Sequence, residues 1–105
     1  MMNSGKPIYS SNAFLWNGMN RLPGTLELYT LAVFFRLNNF NESHLNLCIP
    51  LAEIEKMEEF LVFDLAKIGL RFYGANGKYD LFVLEDGSVF KKMVYAQIRK
   101  SNLVN

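Results

Sequence analysis

The chain predicts a mainly β domain with one C-terminal helix, and three observations carry that reading. Segments rich in aromatic and β-branched residues alternate with turn marks at Asn17-Gly18, Pro23-Gly24, Asn38 to His44, Gly74 to Gly77 and Asp86-Gly87. The apolar period then lengthens after Ser88 to that of a helix. Finally, 105 residues, 50% hydrophobic and 14% aromatic, supply one workable core and little room for a second. Together these suggest a small barrel whose open end is plugged by the helix. Residues 1–105 are read as a single domain, with 1–6 a loose tail.

Ile8 to Trp16 is the first strand, with Ile8, Phe14 and Trp16 in one alternation set. Thr25 to Leu37 is too long for one strand in so small a domain, so a bend is expected near Tyr29-Thr30. Leu45 to Ile49 reads as the fourth strand, Ile68 to Tyr73 as the sixth and Lys78 to Leu84 as the seventh. Asn76-Gly77 joins the last two, because both residues tolerate the positive φ of a type I′ turn.

Pro50 to Lys67 supports two readings. Leu51, Ile54, Met57, Leu61, Leu65 and Ile68 recur at helical spacing, with Pro50 at a helix start. The run Ile54 to Phe60 is equally legible as an edge strand, although its Glu content lowers strand propensity. Local signals favour the helix. Near the C-terminus, Phe90, Met93, Val94 and Ile98 share one helical face, with Lys91, Lys92, Arg99 and Lys100 mostly elsewhere. Asp86 or Ser88 caps its start, and the late cations complement its dipole.

Composition removes several functions. Eleven basic against ten acidic residues give a net charge of +1, without the concentrated positive charge that nucleic-acid binding needs. One cysteine and one histidine build neither a disulfide nor a structural zinc site. Met1 to Ser10 has no secretory signal, so Asn41-Glu42-Ser43 reads as an accidental glycosylation sequon. The longest apolar stretch, Leu26 to Phe35, falls well short of the roughly 20 residues of a spanning helix. The expected compartment is the cytoplasm, and a peripheral membrane contact is compatible with it.

Catalytic chemistry finds little support. His44 ends a polar run and reads as a solvated loop residue, with no neighbouring nucleophile. Cys48 sits among Leu45, Leu47 and Ile49 and reads as a small buried hydrophobe. Glu53, Glu55, Glu58 and Glu59, with Asp64 beyond, form the densest charge cluster. No metal-loop spacing matches it, so it reads as a solvated acidic face guarding a sheet edge. Gly69, Gly74 and Gly77 precede a strand, unlike a phosphate loop, and read as turn and close-packing glycines. No enzyme and no cofactor is expected.

Three stretches carry a family likeness. Gly24-Thr25-Leu26-Glu27-Leu28-Tyr29-Thr30 followed by Val33-Phe34-Phe35 is one, and Ile49-Pro50-Leu51-Ala52-Glu53-Ile54-Glu55-Lys56-Met57 is another. The third is Leu70-Arg71-Phe72 with Gly77 to Leu84, followed by Phe90 at the start of the closing helix. Over about residues 8–99 the chain resembles the GRAM branch of the pleckstrin-homology superfold. Tyr29-Thr30 stands where that family usually has Thr-Asn. The resemblance implies a partly open barrel of about seven antiparallel strands capped by the helix, with Ile54 to Phe60 a strand against its local propensity.

The resemblance also directs attention to the first hairpin, Trp16 to Leu22. Phosphoinositide-binding relatives carry basic residues there, and this chain offers Arg21, with Lys6 nearby in sequence. The candidate contact residues for a protein partner or a phospholipid membrane are Trp16, Met19, Arg21 and Leu22, with Lys91 and Lys92 on the helix. The plainer reading turns Trp16 to the core. The leading expectation is a non-catalytic binding module. The alternatives are an α+β small-molecule binder or small enzyme using the acidic segment 53–64, and a structural self-association module.

Overall fold

Alternating side chains and tight connections build a seven-stranded antiparallel sheet in the computed structural model, which describes residues 5–38, 46–62 and 67–104. His44, the sequon at 41–43 and Asp64 lie outside those residues, as do 1–4 of the expected tail. The strands are β1 (Tyr9–Asn17), β2 (Asn20–Leu28), β3 (Ala32–Leu37), β4 (Leu47–Pro50), β5 (Lys56–Val62), β6 (Lys67–Tyr73) and β7 (Tyr79–Leu84). They are followed by the helix α1 (Gly87–Val104). The order is β4-β3-β2-β1-β7-β6-β5, so β4 and β5 are edges and the sheet does not close into a barrel. β1 and β7 join its two meanders through a short register, Phe14 to Trp16 against Val83 to Leu81.

The bend at Tyr29-Thr30 divides β2 from β3 as the strand length demands, and the Tyr29 amide donates to the Ala32 carbonyl at 2.8 Å. The contested segment resolves into strand. Pro50 precedes a single 3-10 turn at Leu51–Glu53, and Lys56 to Val62 then pair residue by residue with Tyr73 to Lys67. A local helical period loses here to a full ladder of backbone hydrogen bonds, which only the long-range partner supplies. Asn76 and Gly77 both adopt positive φ, at 66° and 74°. The hairpin is longer than a two-residue turn, because the Gly74 amide bonds the Lys78 carbonyl at 2.8 Å and leaves three residues outside.

One face of the sheet holds the core. Ala13, Leu15, Leu26, Leu28, Phe35, Leu70, Phe82 and Leu84 pack there with Phe90 and Val94 of α1. The Phe35 and Phe82 rings lie 5.2 Å apart although β3 and β7 are three strands apart in the order. A flat sheet would separate those strands by about 14 Å, so this sheet curls strongly over its core. Tyr95 of α1 meets the edge strand β5, accepting from the Met57 amide at 2.8 Å. That bond occupies edge backbone otherwise open to another chain.

Several expectations are corrected by parity. Trp16 lies on the face opposite Ala13 and Leu15 and does not enter the core; Phe14, of the same set, is 37% exposed. Cys48 is exposed, because β4 turns Leu47 and Ile49 inward and Cys48 outward. The carboxylate of Asp86 accepts hydrogen bonds from Tyr9 and Ser11, while its carbonyl accepts the Phe90 amide at 2.9 Å. The last helical turn carries no basic residue, because α1 runs past Arg99 and Lys100 to Val104. No helix among the described residues is long and apolar enough to cross a membrane.

Candidate functional site

The first hairpin projects from one end of the sheet. Its turn uses Gly18 at φ 62°, and Met19 at the tip is fully exposed. Trp16 and Arg21 are cross-strand partners, so the Arg21 guanidinium stacks 4.8 Å from the indole centroid. Leu22 points the other way and, half-buried, packs against the core. Lys91 and Lys92 do not join this group. They belong to α1, on the inner face of the sheet, and Lys91 pairs with Glu59 of β5 at 2.7 Å.

The stacked pair is one end of a pattern covering the outer face. Arg71 on β6 stands between Phe60 and Tyr79, at 4.4 and 5.5 Å from their centroids, and Lys56 lies 4.8 Å from the Tyr73 ring. Arg36 covers Phe34 at 5.2 Å. Sequence reasoning missed this aromatic–cationic surface because each contact joins residues from neighbouring strands or alternate positions, visible only once register is known. Gly69 serves it: its Cα faces Phe60 across the strands, and the ring fills the space of a Cβ.

The acidic segment divides between two faces of β5. Glu58 accepts from the Tyr73 hydroxyl at 2.9 Å and pairs with Lys56 and Arg71; these contacts, led by the Tyr73 bond, hold its carboxyl below the usual range. Glu59 accepts from Ser88 at 2.6 Å and pairs with Lys91, and hydrogen bonds from Lys91 and then Ser88 lower its pKa. No group of three or more metal-ligating side chains occurs among the described residues. Glu58 and Glu59 are thus tied to their neighbours on the edge strand, while Glu53 lies in the 3-10 turn and Glu55 just before β5.

A pH prediction follows from Glu59. A depressed folded-state pKa contributes stability that is present above the ordinary value of 4.5 and lost as pH falls through the folded value. Glu59→Gln is expected to cost about 0.5 kcal/mol at neutral pH, because the pair is partly exposed. Urea titrations of both proteins should converge as pH falls through the lowered Glu59 pKa. A constant difference across pH would reject the ion pair as its cause.

A cleft of about 350 Å³ lies where the β4 edge faces the β6–β7 hairpin. Cys48 and Glu53 line one wall, and Tyr73, Lys78, Tyr79 and Asp80 the other. Asp80 is partly buried, and desolvation raises its pKa. The sequence held one overlooked signal for it. Asp80 occupies the same strand parity as the buried Phe82 and Leu84, an acidic residue in an inward slot.

No family model matches the chain, and no curated protein matches it. Solved structures do. The C-terminal domain of an unknown protein from Leishmania infantum aligns with a TM-score of 0.76 at 11% identity, covering 89% of this chain and 84% of that one. The Vps36 N-terminal PH domain aligns with a TM-score of 0.73 at 13% identity, covering 100% of this chain and 87% of that one. At such identities the likeness concerns fold, and the fold is pleckstrin-homology-like.

Proposed function

We propose that this domain is a non-catalytic binding module that docks on a protein partner through its first hairpin. The observation that carries the reading is the fully exposed Met19 beside the Trp16–Arg21 stack. An exposed thioether, an indole and a guanidinium are the side chains that protein interfaces favour. The pleckstrin-homology-like neighbours support a binding role by analogy of fold. The Gly24-led hairpin and the Ile49-Pro50-Leu51 segment favour the GRAM branch within that fold. A protein surface suits the site better than an anionic membrane, because its basic charge does not converge. Arg21 is committed to Trp16, and Lys91 is paired on the opposite side of the sheet.

Two experiments test this together. A photoreactive residue at position 19 should crosslink a discrete protein in extract of the source cells, and Trp16→Ala should abolish the adduct. The same probe at position 92 should give none. The protein should stay in the supernatant with neutral, anionic and phosphoinositide vesicles, and its single tryptophan should keep its emission maximum. Binding to phosphoinositide vesicles with a blue shift would replace the protein partner with a lipid surface. Crosslinking only to a second copy would favour self-association instead.

A further inference from the structure

The outer face of the sheet carries an apolar layer of its own, crossed by cations in excess of carboxylates. Val83 alternates with the core residues Phe82 and Leu84 and so faces outward, yet it is fully buried without joining the core cluster. Its cross-strand neighbours are Phe14 and Gly69, and the Phe60 ring lies over Gly69. In the next outward row, half-buried Leu81 stands between Trp16 and Arg71. An antiparallel sheet with one face in water ordinarily sets polar residues at such positions, so an apolar layer there marks a contact surface.

The charges on these rows do not cancel. Lys56 and Arg71 share one carboxylate, Glu58, at 3.4 and 3.7 Å. Arg21 makes no ion pair among the described residues. Elsewhere the balance is even: Arg36 is matched by Glu27 at 3.2 Å, and exposed Lys78 and Glu55 offset each other at the margin. Glu85 follows β7 at the far end, beyond Val83. The excess therefore lies at the end of the face that bears the first hairpin. Arg21 and Arg71 belong to strands three steps apart, about 14 Å at the usual spacing, too far for both to hold one phosphate. Each guanidinium rests on a ring, which leaves its N–H edge to a carboxylate.

We propose that this face binds an acidic segment of the protein partner, its carboxylates on Arg21 and Arg71 and its apolar side chains over Leu81 and Phe60. The inference rests on the hairpin dock and extends it across β1, β7 and β6 to β5. An extended segment rises about 3.3 Å per residue, so carboxylates roughly four or five residues apart reach both guanidiniums.

The probe is the N-acetylated, C-amidated peptide Asp-Glu-Leu-Phe-Leu-Glu-Asp, titrated into the isotope-labelled domain and followed by amide and indole signals. The Leu81, Arg71 and Trp16 signals should move saturably, and added salt should weaken the binding. The neutral counterpart Asn-Gln-Leu-Phe-Leu-Gln-Asn should leave them in place. Arg21→Gln and Arg71→Gln should each weaken binding about threefold or more and keep a dispersed spectrum, while Lys92→Gln changes nothing. Glu58→Gln should strengthen binding, because it removes the carboxylate that competes for Lys56 and Arg71. The proposal is overturned if the neutral peptide binds equally, if Arg71→Gln binds unchanged, if Glu58→Gln weakens binding or if no peptide shifts these signals. It also falls if a single-stranded oligouridylate moves them at lower concentration, which would assign the face to nucleic acid. Crosslinking separates this inference from the hairpin dock. An adduct at position 19 that survives Arg71→Gln would keep the dock and overturn its extension across the face. Peptide binding as described with no such adduct would uphold the face and remove the hairpin.

Discussion

Phe90→Ala is expected to lower the unfolding free energy by about 3–5 kcal/mol, a large share of the roughly 5–15 kcal/mol available to a small domain. Phe90 is completely buried and joins α1 to the core, and its ring lies 5.8 Å from Tyr9 at the start of β1. Removing it opens a cavity at the junction of helix and sheet and loosens the neighbourhood of Asp86, which holds Tyr9 and Ser11. Urea denaturation measures the loss. Phe90→Leu should cost much less, and Val89→Ala, at a 46% exposed position, almost nothing. A Phe90→Ala loss under about 1 kcal/mol would mean that the helix does not cover the core in solution.

The second large effect is expected from the smallest possible addition. A Cβ on Gly24 would stand 2.4 Å from the Arg36 carbonyl oxygen and 2.6 Å from the Phe35 ring. The carbonyl belongs to the β2–β3 ladder, and the ring is fully buried, so neither can yield cheaply. Gly24→Ala should therefore cost near the upper end of the roughly 1–3 kcal/mol typical of overpacking. Gly69→Ala makes a useful contrast. Its Cβ would meet the end of the Phe60 ring at 2.0 Å, but that ring is partly exposed and can swing aside. The cost at Gly69 should be smaller and largely relieved by adding Phe60→Ala, which measures the coupling directly. Phe60→Ala should do nothing for Gly24→Ala. Equal penalties at the two glycines would sink the distinction between backbone and side-chain obstruction.

The strands with a single consistent alternation were legible from residues alone. The bend after Leu28, the positive φ at Asn76-Gly77 and the helical face from Phe90 to Ile98 all rest on local chemistry, and all are present. β5 was not, because Ile54, Met57 and Leu61 satisfy a helical period while its strand form depends on β6. Parity failed where both faces of a strand are apolar. Trp16 and Phe14 look no less core-like than Ala13 and Leu15 until the curl of the sheet assigns an inside. Of the candidate contact residues, Trp16 and Arg21 are stacked across the strands and Met19 is exposed at the turn, whereas Leu22 packs against the core and Lys91 pairs with Glu59.

The short register between β1 and β7 sets the order in which this molecule can assemble. Each meander closes through near neighbours in the chain, but Phe14 and Val83 meet only after roughly two-thirds of the sequence has been looped out. That closure pays its entropy before any reward arrives. Refolding should therefore be limited by a late joining of two preformed halves. On the ribosome, β1 would wait, half-paired and apolar on both faces, until β7 emerges.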